Sequence, residues 1–227
     1  MARGLPKGLS IDGIVDAAFE VLDDQGIDGL TVRAVADRLG VKAPALYWHV
    51  RNKQQLLDEM GTRVWRDIAA ATADPATDPT ADPAAGLDWR TAMLGYARHT
   101  RAGLLAHRDG ARSFSGTFLT DDAMLADQER RLAWMRDQGF PVEATVDAFV
   151  LLTSFVVGYC IEAQERRQSP TERYSLERRD ERVGAAEHPL VAAAGRRLFG
   201  DPDEHFEALV GMLLDGIAAR HARAAHE

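Results

Sequence analysis

Basic and aromatic side chains are concentrated in one short stretch near the beginning of the chain. Between Arg33 and Lys53 the only acid is Asp37. Guanidinium and ammonium groups bind phosphate oxygens, and an arginine can also donate two hydrogen bonds to the edge of a guanine base. The stretch therefore predicts contact with DNA through its basic and ring-bearing residues, Arg33, Arg38, Lys42, Tyr47, Trp48, His49, Arg51 and Lys53.

The elements that must present these side chains are two short helices joined by a tight turn. Thr31 is a typical N-cap for a helix over residues 32–39, because its hydroxyl can accept a hydrogen bond from a backbone N–H of the first turn. Gly40 follows where a left-handed residue would end that helix. Pro44 fits the first turn of a second, very short helix over roughly residues 43–49. Such a pair is typical of a helix-turn-helix DNA-binding element.

An alternative explains the same residues without DNA. Small helical bundles contain many helices that end at glycine, and Tyr47 and Trp48 could equally be core aromatics, which is the commoner position for such rings. The formal charge of −8 also opposes binding to a polyanion. However, six of the acids lie in residues 1–29, before the basic stretch, and the field at one face matters more than the sum.

Helices on either side would support this pair. Ser10 caps a first helix over residues 11–25, which Gly26 ends, and its apolar residues recur at helical spacing. Asn52 caps a further helix that continues through Ile68, long enough to connect the DNA-binding element to the C-terminal part of the chain. The sequence thus predicts a three-helix N-terminal domain with a connecting helix.

The rest of the chain is predicted to be helical as well, so the fold class is all-α. Three Asp-Pro steps in residues 72–86 favour an extended connector, and the charged residues 165–187 are predicted to form mostly a flexible loop. Apolar periodicity predicts five helices, with Thr120 as the cap of the second: residues 89–105, 119–138, 142–167, 188–199 and 203–221. The third and fifth are more apolar than one small domain needs, and packing them against their symmetry copies gives a four-helix dimer interface.

Composition limits the class of protein. The chain has 227 residues, of which 46% are hydrophobic, so it can bury a substantial core. No apolar run approaches the ~20 residues of a membrane span and the N-terminus lacks an apolar signal core, so we expect a cytoplasmic protein without a membrane partner. The single cysteine, Cys160, excludes an intramolecular disulfide, and its apolar surroundings favour a buried side chain over a redox sensor.

An enzyme is not indicated. The chain has no P-loop, no GxSxG and no pair of histidines at i, i+4 that could hold a metal on a helix. We therefore predict no catalytic residue, no metal ligand and no cofactor. A pocket for a small molecule is a better use of the apolar helices after residue 70, because they carry a few embedded polar groups.

Two segments resemble the TetR family of repressors. The stretch LTVRAVADRLGVKAPALYWHVRNKQQLL resembles that family's DNA-binding helices, LYWHV followed by NK is similar to the tetracycline repressor branch, and LLAHRDGAR resembles a segment of its ligand domain. The resemblance implies a DNA-binding domain over residues 1–70 and an effector-binding and dimerisation domain over residues 71–227. It also implies a homodimeric repressor that binds a palindromic operator whose half-sites lie about one helical turn (~34 Å) apart. A small-molecule effector would release this repressor from the DNA.

The resemblance also assigns residues to the operator. Position by position they are Arg33, Lys42, Ala43, Pro44, Ala45, Tyr47, Trp48, His49 and Lys53. Arg33 would bind a guanine edge, while His49 and Lys53 would hold phosphates. Ala43 stands where the tetracycline branch has a long amide and Ala45 where it has a hydroxyl, so we expect a different operator sequence.

The effector pocket is implied by the same carry-over, with a register that slips by one residue between Phe118 and Arg131. The implied residues are Tyr96, Thr100, Phe114, Thr117, Phe118, Arg131, Val146, Phe149, Thr153 and Glu162. The tetracycline branch holds a drug–magnesium chelate through an imidazole, and Phe114 occupies the matching position. Because Mg²⁺ needs an oxygen-rich octahedron that a phenyl ring cannot supply, we expect a flat aromatic or polycyclic effector bound without metal.

Alternatives stay open for both the pocket and the function. Val146, Phe149 and Thr153 follow helical spacing and could be core residues alone. A transcriptional activator of the same fold and a DNA-binding protein without a ligand fit the same pattern. An enzyme that carries an accessory helix-turn-helix is the alternative from another class.

Overall fold

Helices form all the regular structure in the part of the chain that the computed structural model describes, residues 9–71, 88–169, 175–184 and 186–224. The predicted all-α class is confirmed. In chain order the helices of these ranges are α1 (Ile11–Gly29), α2 (Val32–Leu39), α3 (Ala43–Leu46), α4 (Lys53–Ala71), α5 (Trp89–Leu105), α6 (Gly110–Phe114), α7 (Ala123–Asp137), α8 (Val142–Gln168), α9 (Leu176–Val183), α10 (Pro189–Leu198) and α11 (Pro202–Ala224).

The first four helices enclose a core of their own. Ile14 and Val21 on the apolar stripe of α1 are fully buried, and Val35 of α2, Leu46 of α3 and Leu56 of α4 close over them. Their burial removes apolar surface from water, at roughly 25 cal/mol per Å². This core holds the short helix α3, which is far too short to be stable alone.

Capping residues that the sequence predicts lie at the ends of these helices. Ser10 Oγ accepts a hydrogen bond from the N–H of Gly13 at 3.2 Å, and Thr31 Oγ1 accepts one from the N–H of Ala34 at 3.0 Å. Gly40 ends α2 with a φ of +67°, a conformation that costs a side-chain-bearing residue free energy. The turn between α2 and α3 is therefore fixed by three or four residues of local sequence.

A second core lies among α5, α6, α7, α8 and α11. The largest side chains fully buried there are Met93, Leu104, Met135, Phe140, Leu152 and Phe206. Helix α4 contributes Met60 to the first core and Ile68 to the second. It is therefore shared by both halves of the molecule.

The loop between α5 and α6 joins the two cores. Asp109 is buried with a left-handed φ of +54°. Its carboxylate accepts hydrogen bonds from the N–H of Ile27 in α1 at 2.9 Å and from Nε2 of Gln168 in α8 at 3.1 Å. Gln164 of α8 holds the same loop, since its Nε2 donates to the carbonyl oxygens of Leu104 (3.1 Å) and His107 (2.8 Å).

Several helix boundaries differ from the sequence expectation. Helix α1 continues to Gly29, beyond the predicted end at Gly26, which has a non-helical φ of +72°. The second helix of the DNA-binding element ends at Leu46, and residues 47–49 form a turn. The helix expected from residue 119 begins at Ala123 instead, because Thr120 does not cap it. The Thr120 hydroxyl donates to Glu59 Oε2 at 3.0 Å, and its N–H donates to Thr62 Oγ1 at 3.0 Å.

Two helices differ from the sequence expectation altogether. The short helix α6 lies between the helices predicted over residues 89–105 and 119–138, where the sequence analysis places no helix. Helix α9 lies inside residues 165–187, where the sequence predicts a flexible loop, and Ser175 Oγ caps it by accepting from the N–H of Arg178. The extended connector predicted for residues 72–86 falls outside the described residues.

Helix α8 covers the predicted helix over residues 142–167 and extends it by one residue, to Gln168. By length and composition it could cross a membrane, with a mean hydropathy of 1.8 over its best 18-residue window. Core helices of globular proteins pass the same test, and Leu152, Val156 and Cys160 of α8 are fully buried against other helices. Cys160 is a packed core side chain, and its burial raises the pKa of the thiol to about 11.

Replacing Gly110 with alanine tests the packing of the junction. A Cβ at this position would overlap the backbone carbonyl oxygen of Leu104, which cannot move without disturbing its bond to Gln164. We expect a loss of about 1–3 kcal/mol in the free energy of unfolding, measured by urea denaturation at fixed protein concentration. The control is Gly95→Ala in α5, where, apart from the adjacent residues and backbone of the helix itself, no atom lies within 4 Å of the added Cβ. That change should stabilise the protein by up to about 1 kcal/mol, and equal effects of both substitutions would contradict the packing described.

Candidate functional site

Helix α3 and the turn after it present two large rings to solvent. Pro44 lies in the first turn of the helix, and Leu46 is fully buried beneath it. Tyr47 and Trp48 follow immediately, with 52% and 90% of their surface exposed. The alternative that these rings belong to the core is thereby excluded. Neighbouring exposed aromatic side chains are typical of a surface that binds a partner.

The basic side chains around α3 fall into two groups. Arg38 is turned toward α1, where it pairs with Glu20 at 3.0 Å and with Asp24. The hydrogen bond to Asp24, and next the one to Glu20, raise the pKa of Arg38. The guanidinium of Arg38 is therefore already paired within the protein. The second group is exposed to solvent and consists of Arg33, Lys42 and Arg51.

The remaining predicted operator residues are partly covered. Ala43, Ala45 and His49 are half-buried. Lys53 is half-buried too, and its Nζ donates to the carbonyl oxygen of Ile27 at 2.6 Å. Because an ammonium group has three N–H donors, this bond is compatible with a contact to a phosphate.

A cavity of about 420 Å³ lies between α4, α5, α7 and α8. Its volume is within the range of small-molecule binding sites, and its lining is mostly apolar. The described lining residues are Trp65, Ile68, Ala69, Tyr96, Leu119, Met124, Asp127, Gln128, Arg131, Leu132, Val146, Phe149, Val150, Thr153 and Ser154.

Polar groups lie on two sides of this cavity. On one side the hydroxyls of Tyr96 and Thr153 are 2.7 Å apart. Burial raises the pKa of Tyr96, while the bond to Thr153 and the charge of Arg131 act in the opposite direction, so the phenol is protonated at neutral pH. On the side formed by α7, Arg131 Nε donates to Asp127 Oδ2 at 2.7 Å.

Aromatic rings frame the space between these polar groups. The rings of Trp65 and Tyr96 are nearly parallel, with centroids 6.1 Å apart, and Phe149 meets Tyr96 edge-on at 5.2 Å. Such rings favour a flat apolar ligand, which can stack on one face and meet the edge of another.

The structure brings half of the predicted effector residues together in the cavity: Tyr96, Arg131, Val146, Phe149 and Thr153. The other half are not among its lining residues. Thr100 and Phe114 are buried in the core, Thr117 lies against Gly61 of α4, and Phe118 and Glu162 are exposed. For these five, a direct contact with a ligand stays a prediction.

Several lining residues were missed by sequence reasoning. They come mainly from α4 and α7, namely Trp65, Ile68, Leu119, Met124, Asp127, Gln128, Leu132, Val150 and Ser154. Met124, Gln128 and Arg131 are spaced so that they lie on one face of α7. This spacing could have identified the cavity-lining residues of α7 from the sequence. The face was not recognised because the predicted helix started at residue 119 and the register of the resemblance slipped by one residue.

Phe114 and Glu162, which the resemblance places beside the effector, are not among the described residues that line the cavity. Among the described residues, no three His, Cys, Asp or Glu side chains converge to hold a metal ion. Phe114, at the position matched to the metal-binding imidazole, packs on Trp65 with ring centroids 5.4 Å apart. Glu162 is exposed and lies outside the cavity lining.

Known protein families and relatives match almost the whole chain. Residues 14–60 match a model of bacterial regulatory proteins of the tetR family, and residues 82–221 match a tetracyclin repressor-like C-terminal domain. The chain is 35% identical to the class A tetracycline repressor from transposon 1721 of Escherichia coli over 208 residues, which is 91% of this chain and 89% of the relative.

Solved structures agree with these matches. A possible TetR family transcriptional regulator from Streptomyces coelicolor superposes with a TM-score of 0.76 at 32% identity, over 92% of this chain and 99% of that one. The class A repressor in complex with 5a,6-anhydrotetracycline and magnesium superposes with a TM-score of 0.63 at 30% identity, over 93% and 99% of the two chains.

Proposed function

The chain belongs to the TetR family of bacterial regulatory proteins, and on that premise we propose that it is a repressor that leaves its operator when an aromatic effector fills the cavity. One observation supports this best: α4 begins at Lys53, beside the DNA-binding helix, and its far end forms a cavity wall with Trp65 and Ile68. A ligand that fits the cavity in only one position of α4 shifts the molecule toward that position. Such a shift would move α3 out of register with the DNA groove.

The operator is contacted, in this proposal, by the exposed face of α2 and α3 together with the start of α4. Trp48 and Tyr47 pack on the sugar–phosphate backbone, Arg33 donates to a guanine edge, and Lys53 binds a phosphate. Residues 1–70 make up the DNA-binding domain and residues 71–227 the effector-binding and dimerisation domain. We assign the protein no catalytic role and place it in the cytoplasm, where a bacterial operator is found.

The effector, in this proposal, binds without a metal ion. The class A relative is described with 5a,6-anhydrotetracycline and magnesium. In the present chain Phe114 is packed in the core and Glu162 lies on the surface, so the donors that Mg²⁺ needs are not gathered at the cavity. A flat aromatic or polycyclic molecule fits the ring-lined cavity better.

Two copies of the chain pair through the outer faces of α8 and α11. Leu151 of α8 is 46% exposed and Met212 of α11 is 68% exposed, although both lie on helices whose opposite faces are core. Apolar side chains on two neighbouring long helices are what a four-helix dimer interface would cover. A dimer also sets the distance between the two DNA-binding helices.

Replacing Ala43 with glutamine tests the register of α3 on DNA. Glutamine restores an amide that can donate to and accept from an adenine edge, so the sequences selected from a random DNA pool should change at specific positions. Affinity for non-specific DNA should change less than about threefold, because phosphate contacts are retained. The matched control is Ala70→Gln, at an exposed position near the far end of α4, which should leave the selected sequences unchanged. A uniform change in affinity for all sequences would refute the assignment.

Replacing Leu151 with glutamate tests the dimer. A buried unpaired carboxylate at the interface should convert the protein to monomers in sedimentation experiments and weaken operator binding at least about tenfold. Leu125→Glu is the control, since this leucine of α7 is 60% exposed and lies outside the proposed interface. If the Leu151 variant remains a folded dimer, α8 is not part of the interface.

Removing divalent cations tests the metal-free site. Any compound from an aromatic panel that releases the operator should do so equally well with and without EDTA. Titration calorimetry with anhydrotetracycline, in buffers with and without Mg²⁺, provides the comparison. Tight binding that depends on magnesium would show that the cavity accepts the chelate after all.

A further inference from the structure

Residues 47–52 connect α3 to α4, and the backbone of this connection is held at more than one point. The N–H groups of His49 and Val50 both donate to the carbonyl oxygen of Leu46 at 2.8 Å. The side chain of Val50 is fully buried, so it fixes the middle of the connection to the core. The N–H of Arg51, the next residue, donates to a side chain of α4 instead.

That side chain is the amide of Gln55. Its Oε1 accepts a hydrogen bond from the N–H of Arg51 at 2.9 Å, and its Nε2 donates to the carbonyl oxygen of His49 at 3.5 Å. The amide therefore bonds to the backbone on both sides of Val50. A carboxamide suits this position because it carries an acceptor and a donor on separate atoms, whereas a carboxylate has no donor and an ammonium group has no acceptor.

The guanidinium of Arg51 can bind a partner outside the chain. The residue is exposed, and in the part of the chain that the structure describes no hydrogen bond or ion pair engages its side chain. Arg38, by contrast, is paired with Glu20 and Asp24 of α1. Resting on the DNA-binding function proposed above, we propose that Arg51 binds a backbone phosphate of the operator and that Gln55 is the positioning residue that directs it there.

The amide of Gln55 acts on DNA binding more than on folding. Its bond to Arg51 is exposed and its bond to His49 is only part-buried, so water can replace the amide and the folded protein loses little stability without it. A connection that is free to change conformation must be ordered when DNA binds, and this entropy cost lowers the affinity. By holding the N–H of Arg51, Gln55 limits the directions in which the arginine side chain can leave the backbone.

The salt dependence of DNA binding by the full chain tests the proposal. The probes are the duplex that the unmodified protein selects from a random pool and a duplex of unrelated sequence. One phosphate contact contributes about 0.9 to the slope of log affinity against log salt concentration, which is roughly eightfold for each tenfold change in salt. Arg51→Ala should therefore lower the slope by about one per subunit and weaken binding of both duplexes. Gln55→Met keeps the length of the side chain without its amide, and it should weaken both by at least about threefold and lower the slope in the same direction.

Two further variants separate positioning from a general structural effect. Gln54→Met is the matched control, because the amide of this neighbouring residue donates to Asp58 at 3.0 Å, and it should leave the affinity within about twofold. When Gln55→Met is added to Arg51→Ala, it should weaken binding by less than about twofold, since the residue that Gln55 positions is gone. Hydrogen exchange at the N–H of Arg51, measured by NMR without DNA, should be faster in Gln55→Met, while the midpoint of urea unfolding stays unchanged.

Three results would overturn the proposal. The first is a salt slope in Arg51→Ala equal to that of the unmodified protein, which removes the phosphate contact. The second is an unchanged affinity in Gln55→Met, or an equal loss in Gln54→Met. The third is a double variant in which the two losses multiply, because independent effects exclude positioning of one residue by the other. Failure of the repressor function looks different, since the unmodified protein would then bind neither duplex, whereas failure of this inference leaves its DNA binding intact.

Discussion

The buried carboxylate of Asp109 is the interaction on which the arrangement of the two halves depends. One oxygen accepts from the backbone of α1 and the other from Gln168 of α8, so a single side chain ties the DNA-binding core to the longest helix of the other core. A buried carboxylate is costly unless its oxygens are hydrogen-bonded, and separating the halves here would leave it unsatisfied. The left-handed backbone at Asp109 is a local cost that these two bonds offset.

A second connection between the halves is of a different kind. Helix α4 crosses from one core to the other, and the segment before α7 lies along it, with Asp58 Oδ1 accepting from the N–H of Phe118 at 3.0 Å and Arg66 paired with Asp121 at 2.7 Å. Leu119, between these two contacts, lines the cavity. The junction at Asp109 holds the two cores together, and in the proposed mechanism α4 with its attached segment is the part that a ligand in the cavity would press against.

The parts of this structure that local sequence determines could be predicted, and the parts that distant contacts determine could not. Thr31 and Gly40 act on atoms three or four residues away, so the helix pair and its turn follow from the residues themselves. Thr120 has the chemistry of a cap, yet it bonds to Glu59 and Thr62 of α4, which only the folded chain brings near. The cavity was only half identified for the same reason. The resemblance indicated residues of α8, Tyr96 of α5 and Arg131 of α7, while the wall from α4 and the rest of the wall from α7 depend on how these helices pack.

The position of α7 has a consequence for how such a protein can diversify. Changes on α4 would alter the cavity and the DNA-binding core together, because Met60 and Ile68 belong to different cores on the same helix. Helix α7 contributes Asp127 and Arg131 to the cavity lining and packs mainly on α8, away from the residues proposed to face DNA. Substitutions there are free of that double constraint. Over evolutionary time, substitutions on α7 can consequently change which ligand the protein prefers without changing the DNA sequence that it recognises.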